Sequence, residues 1–501
     1  MISLTFEKFQ ELAGKGNLIP LWQEIPADLE TPVSAFLKIR TGKNDFLLES
    51  VVGGEKWGRY SFLGTEPRAI FKSRGFDVEI MEGHKRSQFR VDENPLNALK
   101  EFMARFQPVV LPDLPRFFGG AVGYLGYDMV RYFERLPQTA VDELRLFDAC
   151  FLLTDTVVIF DNFRQSIKVV ANVFVDPEKP VEALYEEGLH RIEKVVKKLQ
   201  KPLGTMSLGT MPLPLPPESR AQQRGEGEKK LTASHTEEEY CALVERAKRY
   251  IEAGDIFQVV LSTRFEGKTA VSPFELYRAI RRVNPSPYLY FLQYEDMAIV
   301  GASPEVMVRL EDKKVELRPI AGTRRRGRDA SEDFRLQQEL KQDPKERAEH
   351  IMLVDLGRND LGRICETGTV AVNEMEGLEM YSHVMHLVSH VSGVLKPGCD
   401  AFDVIRAAFP AGTLTGAPKI RAMEIIEELE GKKRGIYGGC VGYIGFSGNL
   451  DTAITIRTAL FKDGKVYIQA GAGIVYNSVP EREYQECRSK AEAMLEALKS
   501  L

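Results

Sequence analysis

Cysteine is scarce in this chain: six occur among 501 residues, and they stand singly, without a Cys-x-x-Cys pair. Disulfide frameworks and structural zinc sites both need paired or clustered thiols, so this spacing argues against either. We therefore expect reduced thiols, as in a cytoplasmic protein.

Long apolar runs and an excess of basic charge are missing as well. No stretch reaches the roughly 20 apolar residues of a membrane helix, and the opening residues MISLTFEKFQEL carry acids where a secretory signal is basic and then apolar. Lysine and arginine total 67 and aspartate and glutamate 72, a net charge of −5. This balance gives no reason to expect a nucleic acid or a membrane as partner, and we predict a cytoplasmic location.

The composition is 44% hydrophobic and 28% charged, which excludes a disordered chain and supports a large buried core. One segment differs from this globular composition: residues 201–233 are rich in proline, glycine and polar residues and show no hydrophobic period. We predict an N-terminal region over residues 1–200, a linker over 201–233 and a second domain over 234–501. A long surface loop inside one domain is the alternative.

Strand and helix patterns occur in both halves. Residues 150–160 and 166–175 predict one hairpin, and residues 452–461 and 465–476 predict another around an Asp-Gly turn. Residues 235–255 have the period of an amphipathic helix that ends at a glycine. Hairpins mixed with long helices predict an α+β fold in which helices cover antiparallel sheets.

A nine-residue pattern appears twice, as GGAVGYLGY over residues 119–127 and as GGCVGYIGF over residues 438–446, with six of nine positions identical. Glycine-rich apolar strands suit close backbone packing. We therefore expect each half to contribute one such strand to a common core. A chance match is the alternative.

Two Glu-x-x-Glu pairs stand out among the acidic residues: Glu346 with Glu349, and Glu483 with Glu486. This spacing places both carboxylates of a pair on one helix face. If the two faces meet, they offer oxygen ligands alone, which suit Mg²⁺ better than zinc. A solvated helix surface is the alternative for any single pair.

Small carboxylates are the ligands that we expect near Gly471-Ala472-Gly473, because glycines at a strand end let backbone N–H groups approach an anion. Arg457, one strand earlier, offers a guanidinium fork for such a group. Neither the strand–helix setting of Gly-x-Gly-x-x-Gly nor the Gly-x-x-x-x-Gly-Lys-Ser/Thr pattern of nucleotide sites occurs. Glu305, in the run GASPE, is a candidate general acid with a raised pKa.

Two patterns imitate other sites. His383, His386 and His390 have helical metal-site spacing, but their segment alternates like a strand, which separates His383 from the other two and disfavours zinc. His386 remains a candidate substrate contact. The run GGCVG resembles the nucleophile turn of a glutaminase around Cys440, yet all seven histidines precede it, and that chemistry needs a downstream histidine as base.

Taken in order, these motifs resemble the large subunits of anthranilate synthases, in the chorismate-utilising enzyme family, over nearly the whole chain. The stretches that carry the resemblance include FLLESVVGGEKWGRYSFLG, GDIFQVVLS, NPSPYLYF, RPIAGTRRRG, ERAEHIMLVDLGRND, FPAGTLTGAPK and AGAGIVYNSVPEREYQE. The resemblance implies an α/β sandwich of two large, mostly antiparallel β-sheets with helices packed outside, and a catalytic cleft in the C-terminal region.

The same resemblance implies an active site. Mg²⁺ would bind Glu349 and Glu486, supported by Glu346 and Glu483, and would hold the ring carboxylate of chorismate. The implied catalytic residues are Glu305, His386 and Gln258. The implied substrate contacts are Gly322, Thr323, Thr413, Tyr437, Arg457, Gly471, Ala472, Gly473 and Lys490.

The implied reaction begins when ammonia attacks C2 of chorismate while the C4 hydroxyl leaves with a proton from Glu305. Loss of pyruvate then gives anthranilate, which makes the chain a lyase of tryptophan biosynthesis. Gln258 stands where water-adding members carry lysine, and Ala321 stands where aminodeoxychorismate synthases carry lysine, so both favour anthranilate. Open alternatives are an aminodeoxychorismate synthase component, a synthase that stops at the amino intermediate, and a non-catalytic tryptophan-binding paralogue.

A feedback site for L-tryptophan is also implied, with Glu49 taking the amino group and a Pro/Tyr wall facing the indole. Its implied residues are Leu48, Glu49, Ser50, Asn284, Pro287, Tyr288, Leu289, Val441 and Tyr443. A packed domain joint is the alternative. Because the chain has no glutaminase of its own, the resemblance further implies a separate glutamine amidotransferase subunit that supplies ammonia.

Overall fold

The structure is a computed structural model that describes residues 2–50, 58–203, 231–380 and 384–501. Within these residues, two sheets of twelve strands each pack face to face and carry helices on their outer faces. The predicted α+β sandwich is confirmed. None of the helices described has the length and apolar character needed to cross a bilayer.

The first sheet combines strands from both ends of the chain. Its strands are β1 (Leu18–Pro26), β2 (Asp45–Glu49), β3 (Tyr60–Gly64), β9 (Thr156–Asp161), β10 (Ser166–Phe174), β11 (Thr232–Ala233), β12 (Gln258–Lys268), β13 (Tyr288–Gln293), β14 (Met297–Ser303), β20 (Gly416–Ala417), β23 (Thr458–Lys462) and β24 (Lys465–Ile474). They lie in the order β1-β10-β9-β3-β2-β13-β14-β23-β24-β12-β11, with β20 beside β12.

The second sheet is built in the same mixed way. Its strands are β4 (Ala69–Arg74), β5 (Asp77–Glu82), β6 (Lys85–Arg90), β7 (Gly120–Leu125), β8 (Ala149–Thr154), β15 (Val306–Glu311), β16 (Lys314–Leu317), β17 (Ile320–Arg325), β18 (Ala371–Met380), β19 (Val384–Val394), β21 (Cys440–Gly445) and β22 (Leu450–Ile454). Their order is β17-β19-β16-β15-β22-β21-β7-β8-β4-β5-β6, with β18 beside β19.

Helices cover both outer faces of the sandwich. They are α1 (Phe6–Leu12), α2 (Pro32–Ile39), α3 (Leu96–Ala104), α4 (Val181–Leu199), α5 (Glu237–Glu252), α6 (Pro273–Val283), α7 (Ala330–Gln342), α8 (Pro344–Ile364), α9 (Ala401–Ala408), α10 (Lys419–Glu430) and α11 (Pro480–Lys499). Helix α5 confirms the predicted amphipathic helix, and the side chains of Thr236 and Glu239 cap its first turn reciprocally.

Three layers of apolar side chains hold the sandwich together. Between the sheets, Ile299 and Leu460 of the first sheet pack in one cluster with Val122 and Val441 of the second. Helices α1, α2, α4, α6 and α11 bury apolar residues on the outer face of the first sheet. Helices α3, α8 and α9 do the same for the second sheet. Burial of this apolar area is the main stabilising contribution to the fold.

Two segments predicted as single strands are each divided between the two sheets. The chain leaves β8 in the second sheet at Asp155 and continues as β9 in the first sheet. It crosses again over residues 455–457, between β22 and β23, where Arg457 has a left-handed φ of 49°. The two hairpins themselves, β9–β10 and β23–β24, are confirmed. Continuous strands over 150–160 and 452–461 were therefore wrong predictions.

The repeated glycine pattern forms one central strand pair. Strands β7 and β21 lie side by side and antiparallel, with Gly123 opposite Gly442. A Cβ atom on Gly123 would lie 2.0 Å from the carbonyl oxygen of Cys150, and one on Gly442 would lie 2.1 Å from that of Asp451. The expected contribution of both halves to a common core is confirmed, and glycine is needed because the neighbouring backbones are so close.

Both predicted parts of the chain enter both sheets. Residues 1–200 supply β1, β2, β3, β9 and β10 to the first sheet and β4 to β8 to the second. Residues 234–501 supply nearly all the remaining strands. Most of the predicted linker, residues 204–230, lies outside the described residues, so the domain boundary stays a prediction.

Candidate active site and effector pocket

Helices α8 and α11 each present one of the two Glu-x-x-Glu pairs. Helix α8 begins where the Asp343 side chain accepts hydrogen bonds from the backbone N–H groups of Lys345 and Glu346, with Pro344 in its first position. Both acids of each pair fall in the first two turns of their helix. The helical placement that the spacing predicted is confirmed.

The two acidic faces act on each other through two lysines. Burial raises the pKa of Glu349 on α8, repulsion from Glu346 adds to the rise, and the charge of Lys490 on α11 opposes it. Burial likewise raises the pKa of Glu483 on α11, and the charge of Lys345 on α8 opposes that rise. Each acidic face therefore lies within the electrostatic range of a lysine on the other helix.

A metal centre is not complete in the protein's own side chains. The part of the chain that the structure describes contains no group of three or more histidine, cysteine, aspartate or glutamate residues able to hold a metal ion. Magnesium commonly takes only one or two protein carboxylates, and substrate and water complete its shell. Glu349 and Glu486 fit such a partial set, since a divalent cation would offset the burial and repulsion that raise the pKa of Glu349.

Glu305 lies between β14 and β15 and lines a cavity of about 390 Å³. Its side chain is buried, and burial raises its pKa to about 7, although the Thr413 hydroxyl and the charges of Lys490 and Arg457 oppose the rise. The Thr413 hydroxyl donates to Oε1 of Glu305 over 2.9 Å. A carboxyl group with this pKa holds a proton near neutrality and can release it, which suits a general acid.

The two glycines of β24 make room for side chains that face the cleft. A Cβ atom on Gly473 would lie 2.5 Å from Nε2 of Gln258, and one on Gly471 would lie 2.8 Å from the Tyr437 hydroxyl. The Gln258 amide also donates to Glu349 over 3.3 Å. Ala472 points the other way, into a cluster with α5, α10 and α11, so only its backbone can face a ligand.

Lys490 ties α11 to this strand. Its Nζ atom lies 2.8 Å from Oε1 of Glu486 and donates to the carbonyl oxygen of Gly471 over 3.1 Å. Its charge also lowers the pKa of buried Glu305. One ammonium group therefore connects the acid pair of α11, the glycine strand and the candidate general acid.

His386 faces the same site from β19. Its Nδ1 atom lies 3.0 Å from the carbonyl oxygen of Gly322 and 3.1 Å from the hydroxyl of Thr323 on β17. Because a carbonyl only accepts, Nδ1 carries the proton and the neutral ring has its lone pair on Nε2. Burial lowers the pKa of His386 and keeps the ring neutral. Gly322 in turn lies against Glu346 of α8.

The histidine pattern forms a strand and not a helix. His386 and His390 both lie on β19, and His390 pairs with Glu316 over 3.0 Å, away from the cleft. His383 lies outside the described residues. The strand that the alternation predicted is confirmed for the two described histidines.

A second pocket of about 470 Å³ lies between the two sheets. Eight of the nine implied effector residues line it: Leu48, Glu49, Ser50, Pro287, Tyr288, Leu289, Val441 and Tyr443. Asn284 is not in this lining; it ends α6 instead. The remaining wall, which sequence patterns did not indicate, consists of Tyr60, Phe62, Arg116, Tyr290, Arg309, Gly442 and Asp451.

Glu49 lines this pocket, and its carboxylate also has partners on α6. Its carboxylate accepts a hydrogen bond from the Tyr277 hydroxyl and two from Arg281, at 2.9 and 3.1 Å, both on α6. Along β2, Leu47 packs toward the outer helices and Leu48 toward the inner core, so Glu49 shares the outer side. Its charge is already paired there, and its contact with an effector amino group stays a prediction.

The charged groups inside this pocket surround Asp451. Its carboxylate accepts hydrogen bonds from Tyr288 at 2.9 Å, Arg309 at 2.8 Å and Arg116 at 3.0 Å. Arg116 also donates to the Tyr443 hydroxyl over 2.9 Å. Arg116 also lies 3.6 Å from a carboxylate oxygen of Glu311, so the two guanidinium groups meet two carboxylates. Guanidinium forks of this kind can also bind the carboxylate of a ligand.

Comparison with known sequences identifies the family. A family model described as chorismate binding enzyme matches residues 54–496. Anthranilate synthase component 1 of Pseudomonas aeruginosa is 48% identical over 496 residues, which cover 98% of each protein. The protein of the same name from Acetivibrio thermocellus is 46% identical over 494 residues, which cover 99% of this chain and 98% of that protein.

Solved structures agree with this assignment. Anthranilate synthase component I from Streptococcus pneumoniae TIGR4 superimposes with a TM-score of 0.74 at 36% identity, over 94% of this chain and 99% of that chain. The menaquinone-specific isochorismate synthase of Escherichia coli shares the fold, with a TM-score of 0.68 at 19% identity over 98% of each chain. The chain therefore belongs to the chorismate-binding enzyme family, with anthranilate synthase component 1 proteins among its relatives.

Proposed function

We propose that this chain is the aminating subunit of an anthranilate synthase, which converts chorismate and ammonia into anthranilate, pyruvate and water. The observation that carries the proposal is Glu305, a buried carboxyl group with a pKa of about 7, beside Thr413, Lys490 and Arg457. The names of the full-length relatives support the same assignment.

The amination step needs a proton donor. Hydroxide is a poor leaving group, so the C4 hydroxyl of chorismate takes a proton from Glu305 as its C–O bond breaks and leaves as water. The ammonia lone pair forms the new C–N bond at C2, and the ring double bonds shift toward C4. The added nitrogen then gives up one proton, which restores the acid. Gln258 is a neutral amide bound to Glu349, and it suits ammonia because ammonia needs no base to become a nucleophile.

The remaining residues hold the two carboxylates of chorismate. Arg457, Tyr437 and Lys490 would bind the enolpyruvyl carboxylate beside Gly471. Mg²⁺ held by Glu349 and Glu486 would supply positive charge to the ring carboxylate. Elimination of pyruvate, which takes its hydrogen from C2 of the ring, is driven by aromatisation.

A second component and an effector complete the proposal. At neutral pH nearly all free ammonia is ammonium, which cannot attack chorismate, so a separate glutamine amidotransferase subunit would deliver the nucleophile. L-Tryptophan would bind in the 470 Å³ pocket, with its indole against Leu48, Pro287 and Tyr288. The guanidinium groups of Arg116 and Arg309 would bind its carboxylate.

The decisive experiment measures anthranilate fluorescence from the isolated chain supplied with chorismate, Mg²⁺ and concentrated ammonium at alkaline pH, with and without L-tryptophan. Product that falls when tryptophan is added is the expected result. Chorismate consumed without fluorescence would point to an aminated product that keeps its enolpyruvyl group or to an aminodeoxychorismate. No consumption by a folded chain that binds tryptophan would overturn the enzymatic proposal in favour of a regulatory protein.

A further inference from the structure

Helix α8 carries a buried ion pair three turns beyond its acid pair. Asp360 accepts from Nζ of Lys419 through both carboxylate oxygens, at 2.9 and 2.8 Å. Lys419 is the first residue of α10, and its Nζ atom also lies 3.5 Å from the carbonyl oxygen of Ala408, the last residue of α9. One side chain therefore joins the end of α9, the start of α10 and the flank of α8.

The segment between these two helix ends, residues 409–418, lies on α8 and reaches the general acid. Gly412 is in contact with α8, because a Cβ atom there would lie 2.8 Å from Cδ1 of Leu356. The next residue, Thr413, donates to Glu305. Both Asp360 and Glu305 line one cavity of about 390 Å³ that runs between α8 and this segment.

We propose that Asp360 and Lys419 are positioning residues: their ion pair fixes residues 409–418 on α8, so that the Thr413 hydroxyl stays on the carboxyl group of Glu305. In this role both residues act through Thr413 and not on the reacting atoms. The inference rests on the proposed role of Glu305 as general acid, but its structural part can be tested without substrate.

Stability alone is a poor reason for this pair. A lysine in the first position of a helix meets the positive end of the helix dipole, and α10 has neither a side-chain cap nor an acid in its first turn to offset it. Burial raises the pKa of Asp360 in spite of the adjacent Lys419. Buried ion pairs often contribute no more stability than well-packed apolar side chains. A positioning role gives a reason for an ion pair that contributes little to the stability of the fold.

The test is the titration of Glu305 itself. Infrared difference spectra between each protein and its Glu305→Gln partner report the protonated carboxyl group as a function of pH, with no substrate present. The charged groups that face Glu305 are Lys490, Arg457 and, across the cavity, Arg318 and Asp360. Two single variants, Lys419→Met and Asp360→Asn, change the cavity charge in opposite directions.

Positioning and plain charge effects predict different signs. Loss of the Thr413 hydrogen bond, which favours the carboxylate form, raises the pKa of Glu305 by about one unit in both variants. A pure charge effect would raise that pKa in Lys419→Met and lower it in Asp360→Asn. Opposite shifts in the two variants would therefore overturn the proposal.

A double variant checks the route. Thr413→Val should raise the pKa of Glu305 by the same amount, and adding Lys419→Met to it should add nothing, because the hydrogen bond is already lost. Fully additive shifts would show that the pair does not act through Thr413. Arg421→Met, which removes a more exposed ion pair with Asp255 from the same helix, is the matched control and should leave the titration unchanged.

Further controls distinguish a failure to fold, and a failure of the proposed function, from a failure of the positioning role. If Lys419→Met does not fold, Lys419→Arg keeps the charge but displaces the contact, and the same sign test applies to Asp360→Asn alone. If the pKa of Glu305 shifts as expected in the variants but the wild type makes no anthranilate, the positioning role of the pair is supported and the proposed function is overturned. If the wild type makes anthranilate but the pKa of Glu305 is unchanged in both variants, the proposed function is supported and the positioning role is overturned.

Discussion

Lys490 and Glu486 form an ion pair of 2.8 Å, one turn apart on α11. The same ammonium group donates to Gly471 and lowers the pKa of Glu305 and of Glu349. One positive charge therefore acts on α8, on α11, on strand β24 and on the turn that carries Glu305. This arrangement makes Lys490 a sensitive position, although its side chain is half exposed.

Replacing Lys490 by methionine should lower kcat/KM for chorismate by about tenfold to a hundredfold, since a charge-assisted hydrogen bond contributes about 1.5–3 kcal/mol. The pKa of Glu305 should rise, so the basic limb of the pH–rate profile should move to higher pH. Initial rates with ammonium across the pH range measure both effects. Arg488→Met, on the exposed side of the same helix, is the control; an equal loss in that variant would contradict the special role of Lys490.

Glu305→Gln should abolish amination and yet stabilise the protein at alkaline pH. The folded pKa of Glu305 is about 7, above its usual value of 4.5, so the stability that its protonated form allows is complete below 4.5 and is lost as pH rises through 7. At about 1.4 kcal/mol per pKa unit, the buried carboxylate costs about 3 kcal/mol above that range. Glutamine carries no such cost.

Thermal unfolding of the wild type and of Glu305→Gln at a pH above 8 and at a pH near 5 measures this cost, with the two curves diverging only at the higher pH. Thr413→Val serves as a comparison, because it keeps the carboxylate and removes its hydrogen bond. A Glu305→Gln protein that unfolds earlier than the wild type at both pH values would contradict the burial argument.

Local patterns predicted the elements that carry the site. The acid pairs at three-residue spacing required helices, the glycine repeat required close strands, and each turn signal lay between two strands that do pair. The sheet crossings at Asp155 and at residues 455–457 were missed because the strands on both sides are buried alike. Apolar patterning reports burial, and it does not report which of two sheets a strand joins.

The orientation of Glu49 could not be predicted for a related reason. Its partner Arg281 lies 232 residues further along the chain, so no local spacing links them. Arg116 and Arg309 line the 470 Å³ pocket only because β15, β21 and the segment before β7 meet around Asp451. Contacts of this kind depend on the strand order of the shared second sheet.

Alanine at the paired glycines should destabilise the sandwich. A methyl group on Gly123 or Gly442 would lie within 2.1 Å of a neighbouring carbonyl oxygen, so the strands must move apart. Overpacking of this kind costs about 1–3 kcal/mol. Gly362→Ala is the matched control: this helical glycine on α8 has open space around it, and alanine there should stabilise by about 0.5–1 kcal/mol. Urea unfolding of the three variants measures these effects, and equal stabilities would refute the close-packing argument.

The 470 Å³ pocket, as the proposed tryptophan site, yields one prediction for Arg116 and one for Glu49. If Arg116 receives the tryptophan carboxylate, Arg116→Gln should raise the tryptophan concentration for half inhibition by about tenfold or more, the loss expected for one charge-assisted hydrogen bond. Each variant is compared with its own uninhibited rate, and tryptophan binding is measured separately by calorimetry. Asp451 keeps Arg309 and Tyr288 in this variant, so the pocket retains most of its contacts.

Glu49→Gln tests whether Glu49 stabilises the fold or binds the amino group of tryptophan. Because the Glu49 carboxylate pairs with Arg281 and Tyr277 on α6, its loss leaves Arg281 without that partner and should lower the melting temperature. The affinity for tryptophan should change little. Stability and binding must therefore be measured on the same samples. A Glu49→Gln protein with an unchanged melting temperature and no tryptophan binding, beside an Arg116→Gln protein with normal inhibition, would restore Glu49 as the direct contact of the effector amino group.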